Sequence, residues 1–228
     1  MDNCKNWTRQ QTQLRALLSA QAHFDEGMQL FLEQHAAVHS AAVSGGGGWS
    51  LQDEVLAGLS EAQLRACPRP GMNSIAWLLW HTARIEDITL GYLVMEGPQV
   101  LAAPGWVERL GLPLWDVGAG MDADEVAAFS ASVSIPGLLD YRAAVGRATR
   151  ANIPRLSAEQ LKLCVPDSAI RQLKFEGSIS PKADWLGEYY CNRPKGFFLT
   201  RITSHNYIHL NEAGRVPGLL RKYKLLTL

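Results

Sequence analysis

Residues 204–212 read Ser-His-Asn-Tyr-Ile-His-Leu-Asn-Glu, and this stretch places two histidines, His205 and His209, four residues apart. On an α-helix, residues at this spacing lie on one face, about 6 Å apart along the axis, so both imidazoles can reach one metal ion. Two ligands do not complete a site for an ion such as zinc, which usually takes at least three protein ligands. His81, far upstream in another helical stretch, is the natural third ligand.

Both histidine-bearing stretches have apolar residues at helical spacing, which predicts that their histidines face a core. A buried imidazole needs partners for both ring nitrogens, and a metal on one nitrogen with a hydrogen-bond acceptor on the other meets this requirement. A histidine that only forms hydrogen bonds inside the core is the alternative. The two predicted stripes are Ile202, His205, His209, Glu212 and Val216, and Leu78, His81, Ile85, Ile88 and Tyr92.

The composition indicates one globular domain over residues 1–228, since 47% of its 228 residues are hydrophobic. Lys and Arg number 22 and so do Asp and Glu, so no basic surface is predicted that would attract a nucleic acid. We expect a cytoplasmic protein, because the first residues lack a secretory signal and no apolar run is long enough for a membrane span. The four cysteines form no C-x-x-C pair, which predicts reduced thiols.

Helical periodicity, capping residues and helix breakers predict an all-α fold in which four long helices are joined by irregular segments. No run of alternating β-branched residues is long enough to indicate a sheet. The long helices are predicted at residues 12–44, 73–96, 136–152 and 196–213. The second and fourth of them carry the three histidines.

The connections are predicted from glycine, proline and capping signals. Four glycines, residues 45–48, end the first long helix as a flexible connector. Residues 99–120 are predicted to be a loop, and residues 166–194 are predicted to be irregular apart from one short helix around Trp185. Further short helices are predicted after the capping serines Ser60 and Ser157 and at residues 122–133.

Residues 73–87, Asn-Ser-Ile-Ala-Trp-Leu-Leu-Trp-His-Thr-Ala-Arg-Ile-Glu-Asp, together with residues 205–212, resemble the DinB-like superfamily. The resemblance covers nearly the whole chain in helix order. It implies a DinB/YfiT-like four-helix bundle with long irregular connections, in which one histidine of the second helix and a later H-x-x-x-H pair bind a divalent metal. Residue by residue, the ligands match His81, His205 and His209, and Glu212 matches the Gln or Glu that follows the last histidine by three. Asn211 departs from the family pattern, which often has glycine there.

Members of this superfamily include transferases that use low-molecular-weight thiols and a maleylpyruvate isomerase. The resemblance therefore implies a metal-dependent enzyme acting on a small molecule, either a hydrolase or an S-transferase with a low-molecular-weight thiol as co-substrate. Three neutral imidazoles suit zinc, nickel, copper or iron(II), and we expect zinc or nickel. A bundle that binds a metal or another ligand without catalysis is the alternative function. We also expect a homodimer.

Glu212 is the candidate catalytic residue. It follows His209 by one helical turn, so it can orient that imidazole or act as a general base. A salt bridge to Arg84 or to Arg215 is an alternative role for the same carboxylate.

The other conspicuous residues near His81 are predicted to have structural roles. Glu86 and Asp87 do not share its helix face, so we expect them to be solvated or to cap the helix, with salt bridges or support of a metal ligand as the alternative, rather than to bind metal. Trp77 and Trp80 are predicted to pack in the core.

His35 and His39 form a second pair at helical spacing and are therefore a rival metal site. Their neighbours are small or polar and lie close to a predicted helix end, so the pair is predicted to be exposed. Two other enzyme classes are excluded, because the chain has neither the G-x-S-x-G motif of a serine hydrolase nor a dinucleotide-binding glycine fingerprint.

Overall fold

Serine or aspartate side chains cap six of the helices in the described part of the chain. In the computed structural model of the protein, which describes residues 2–223 and side chains from residue 5 onward, Ser74 starts the helix that carries His81. Its hydroxyl accepts a hydrogen bond from the backbone N–H of Trp77 at 2.9 Å. Ser60, Asp122 and Ser157 form capping boxes with a Gln or Glu three residues later. These groups satisfy backbone donors that a helix start leaves free.

The described residues form thirteen α-helices and no β-strand, so the all-α prediction is confirmed. None of these helices is long and apolar enough to cross a lipid bilayer. The helices are α1 (Asp2–Ser19), α2 (Phe24–Val38), α3 (Leu51–Leu56), α4 (Glu61–Arg65), α5 (Ile75–Ile88), α6 (Trp106–Leu110), α7 (Ala123–Ser132), α8 (Ile135–Asn152), α9 (Ala158–Lys162), α10 (Asp167–Phe175), α11 (Trp185–Tyr190), α12 (Lys195–Ala213) and α13 (Val216–Lys222).

The prediction of one helix over residues 12–44 is wrong. The chain turns at Ala20, whose backbone is extended, and α1 and α2 pack against each other as a helical hairpin. A single helix over that range would be about 50 Å long and would carry one end away from the core. The hairpin instead lets Leu14 of α1 join Phe31 of α2 in one hydrophobic cluster.

Two predicted irregular segments contain more helix than expected. The 166–194 segment forms α10 in addition to the helix around Trp185, and the 99–120 loop contains α6. Only Ile170 and Leu173 of α10 are buried, so its apolar pattern contains too few residues to predict a helix from the sequence. By contrast, the glycine connector is irregular as predicted, and Gly45 to Gly47 have φ angles of 97°, 83° and 87° that suit glycine.

The helices that carry the three histidines pack directly against each other. Every residue of α5 is buried, so this helix lies at the centre of the molecule, and it contacts both α8 and α12. A π-helical segment, Thr89–Val94, continues it. The contact between α5 and α12 therefore places His81 next to the later histidine pair.

Candidate metal centre

His81 of α5 meets His205 and His209 of α12. One ring nitrogen from each histidine lies within 4.8 Å of the others, a spacing at which one ion could be bound by all three. The ring centroid of His81 is 4.9 Å from that of His205 and 5.2 Å from that of His209. The structure thus brings together the three residues that helical spacing and family resemblance had selected.

Hydrogen bonds fix the orientation of two of the rings. The Nδ1 atom of His81 lies 2.6 Å from the carbonyl oxygen of Val117, and Nδ1 of His209 lies 2.9 Å from Oε2 of Glu212. Since a carbonyl and a carboxylate can only accept, each Nδ1 carries a proton, and in a neutral ring Nε2 then has a free lone pair. Nδ1 of His205 is buried and has no hydrogen-bond partner among the described residues. The Nε2 atoms of His81 and His209, together with one ring nitrogen of His205, form a donor set that fits a divalent metal.

The protonation states also suit a metal site. Burial lowers the pKa of His81 to about 4 and lowers that of His205 well below its usual value. Both rings are therefore neutral at pH 7, as metal ligands must be. The hydrogen bond from His209 lowers the pKa of Glu212, so its carboxylate is ionised at the same pH.

The carbonyl group that orients His81 belongs to a loop held by α5 itself. The indole N–H of Trp80 donates to the carbonyl oxygen of Asp116, and Arg84 donates from two nitrogens to that of Trp115 at 2.6 and 3.0 Å. Three consecutive carbonyl groups are thereby held by side chains of one helix. This support was missed in the sequence, because a backbone carbonyl group leaves no residue-type signal.

Glu212 does not form the salt bridges considered for it. Its Oε1 atom accepts a hydrogen bond from the amide of Asn73 at 3.2 Å, and its Oε2 atom accepts from His209. Arg84 is fully buried and pairs with Asp87. Glu212 is therefore placed to orient His209.

A cavity of about 420 Å³ adjoins the three histidines. Trp77 lines it and stacks on His81 with ring centroids 4.7 Å apart, so the prediction that Trp77 only packs in the core is incomplete. Trp80 packs against Phe129 and Tyr141 as predicted. Most of its other lining residues come from α11 and the first half of α12, among them Trp185, Tyr189, Tyr190, Phe198 and Arg201.

The prediction that the rival pair is exposed is wrong, and so is the prediction that Glu86 and Asp87 are solvated, whereas the alternative of a salt bridge holds for Asp87, which pairs with Arg84. His35 and His39 are fully buried, and their Nε2 atoms lie 2.9 and 2.8 Å from the two carboxylate oxygens of Glu86. Glu86 is also fully buried, and Asp87 is nearly so. A glycine on α8 allows close packing against the pair, since a Cβ added at Gly146 would lie 2.7 Å from Nδ1 of His39.

The cluster of His35, His39 and Glu86 has donors suited to a metal, but its geometry is that of a hydrogen-bonded network. Two ligand atoms on one tetrahedral ion, each about 2.1 Å from it, are separated by about 3.4 Å. The nitrogen–oxygen separations here are 2.9 and 2.8 Å, which are direct hydrogen bonds. Thr149 and Asn206 donate to the same carboxylate at 2.6 and 2.9 Å, so both oxygens are fully used.

We expect the metal-free protein to lose stability in mild acid. Burial lowers the pKa of His39 to about 4, although Glu86 opposes this shift, whereas the unfolded chain takes up the proton near pH 6.5. Between these values the unfolded state binds more protons, so stability falls as pH falls from about 6.5 to about 4, by on the order of 3 kcal/mol for this histidine. Burial of His81 and His205 acts in the same direction.

Urea unfolding with a chelator present, at several pH values from neutral to about 4.5, measures this effect. The control is His23→Gln, a substitution at an exposed histidine outside the buried clusters. A free energy of unfolding that stays constant over this range would contradict the expectation.

A sequence model of the DinB superfamily matches residues 47–213. The match covers more than half of the chain and includes the three histidines and Glu212, so the protein belongs to the DinB superfamily, as the sequence motifs predicted. A crystal structure described as a conserved protein from Enterococcus faecalis is similar in fold. It is 21% identical, with a TM-score of 0.59 over 85% of this chain and 96% of that one. No curated protein matches the chain.

Proposed function

We propose that the protein is a metal-dependent enzyme in which His81, His205 and His209 hold one divalent ion, zinc or nickel, beside a cavity that binds a small-molecule substrate. The observation that carries this proposal is the position of the three-histidine cluster on the wall of a cavity of about 420 Å³. Among the described residues, no fourth Cys, His, Asp or Glu joins this cluster. A structural metal normally has four protein ligands, whereas a catalytic metal keeps one position for water or substrate.

A metal bound here would act as a Lewis acid that makes a water molecule or a thiol nucleophilic near neutral pH. Hydrolysis and S-transfer from a low-molecular-weight thiol are the two reactions that use this property, and both remain within the proposal. We further propose that α2, α5, α8 and α12 are the four-helix bundle typical of the family. The contacts of α12 with α2 and α5, and of α5 with α8, support this arrangement.

Glu212 has the role of positioning His209 in this proposal. Both of its oxygens accept hydrogen bonds, one from His209 and one from Asn73, and its pKa is lowered. A carboxylate with a lowered pKa is a weaker base, so the contacts favour an orienting role over proton transfer.

Activity assays test the proposal on the chelated protein and on the protein reloaded with zinc or nickel. An aryl ester tests hydrolysis, and a chloronitrobenzene with a thiol tests S-transfer. We expect turnover of one of them only after reloading, and we expect Glu212→Ala, which removes the acceptor for His209, to lower metal affinity or turnover about 10- to 100-fold.

The matched control is Glu188→Ala, since Glu188 is an exposed carboxylate on α11 beside the cavity wall. It should leave both measurements unchanged. Equal turnover with and without metal would contradict the proposal, and absence of metal binding would leave a ligand-binding bundle.

A further inference from the structure

The cavity beside the histidines has a mainly apolar wall and, among the described residues, one permanently charged side chain. Its wall is mainly aromatic and aliphatic, with Trp77, Ile85, Trp185 and Phe198 among the lining residues. Apart from the histidines, Arg201 is the one ionisable side chain of Lys, Arg, Asp or Glu type among the described residues that line it. An apolar wall strengthens the field of a single cation, because little water or counter-charge is present to screen it.

Arg201 is aligned with the metal-binding candidates on α12. Residues 201, 205 and 209 recur every four positions, so they occupy one helix face. Arg201 precedes His205 by about 6 Å along the axis. Its guanidinium group has no salt-bridge or hydrogen-bond partner among the described residues, whereas the buried Arg84 and Arg142 each have several.

We propose that Arg201 binds the carboxylate of the substrate, and that the substrate is an organic monoanion with an aromatic or bulky aliphatic body. A guanidinium group presents paired N–H donors that match a carboxylate, and the apolar wall fits the body of such a molecule. With its carboxylate on Arg201, the molecule extends along the same helix face towards His205 and His209. This inference deepens the proposed function and rests on it for the reaction, but the anion site itself consists only of protein groups.

Binding of 3-phenylpropionate and of its neutral amide tests the inference without relying on activity. Trp77 and Trp185 line the cavity, so a change in tryptophan fluorescence reports occupancy. In chelated protein we expect the carboxylate to bind at least about tenfold more tightly than the amide, because a charge-assisted hydrogen bond is worth more than a neutral one. Arg201→Gln should remove this preference, and Arg201→Lys should keep part of it.

Arg215→Gln is the control, since Arg215 is exposed beyond the end of α12 and does not line the cavity. Equal binding of acid and amide by the parent protein would overturn the inference. A preference that requires added metal and survives Arg201→Gln would also overturn it, because the carboxylate would then be on the metal. A preference that depends on Arg201 in a protein that binds no metal would support the anion site while contradicting the enzyme proposal.

Discussion

Replacing His205 with alanine is expected to abolish stoichiometric binding of zinc or nickel. The parent protein should hold about one ion per chain, because its three imidazole nitrogens lie within 4.8 Å of one another. The variant keeps His81 and His209 alone, and these two side chains come from different helices. Two ligands of this kind are too few to retain the ion through purification. His81→Ala should have the same effect, since it leaves only the pair on α12.

Elemental mass spectrometry on protein purified without an affinity tag measures the metal content directly. His23→Ala is the matched control, because His23 is an exposed histidine outside the cavity. Metal retained by both ligand variants would show that the ion is bound elsewhere. A parent protein that takes up no metal after divalent ions are added would contradict the three-histidine site.

Thermal unfolding separates loss of metal from loss of fold. A ligand that binds only the folded state stabilises it by about 4 kcal/mol when its concentration is a thousand times its Kd. We therefore expect added zinc to raise the melting temperature of the parent and to leave that of His205→Ala unchanged. Without metal, the variant should not be much less stable than the parent, because the buried Nδ1 of His205 has no hydrogen-bond partner to lose.

The helices of the site could be predicted because their signals are local. Ser74 and the long apolar run after it predict α5, and the stripe around His205 predicts a helix with that histidine facing inward. Family resemblance then paired His81 with the later histidines, although they are more than a hundred residues apart in the sequence. Helical spacing alone predicted the two helices but could not show that they pack against each other.

The failed predictions depend on contacts between distant segments. The burial of His35 and His39 depends on Glu86, and a glutamate of this kind looks like any surface glutamate in the sequence. The turn at Ala20 has no proline or glycine signal, because packing of α1 against α2 decides it. Arg201, by contrast, could have been predicted to lie near the site. It precedes His205 by four residues, the same spacing that joins His205 to His209.

Glu86 connects the four long helices around the site. It lies on α5 and accepts hydrogen bonds from His35 and His39, from Thr149 of α8 and from Asn206 of α12. Asn206 immediately follows His205. The same carboxylate therefore helps to hold α12 in the position that brings the histidine pair to His81.

The substitution Glu86→Gln is expected to destabilise the protein by about 3–5 kcal/mol. All the groups around the carboxylate donate to it, so an amide NH2 at one oxygen position would face other donors. If a histidine changed tautomer to accept from that NH2, its Nδ1–H would become a buried donor without a partner, since Nδ1 of His35 and of His39 has none among the described residues. The change would also leave the buried Arg142 without its nearby negative charge, which now helps to keep its pKa from falling further.

Urea unfolding at pH 7, with Glu26→Gln as the control, measures this effect. Glu26 also forms a hydrogen bond with a histidine, His23, at 3.0 Å, but both side chains are mostly exposed. The control therefore removes the same chemical pair from a surface, where such pairs contribute little, and its unfolding midpoint should stay close to that of the parent. Similar midpoints for the two variants would mean that Glu86 is already protonated in the folded protein. That result would contradict the low pKa of Glu86. Burial raises this pKa, but the two histidines hold it well below its usual value.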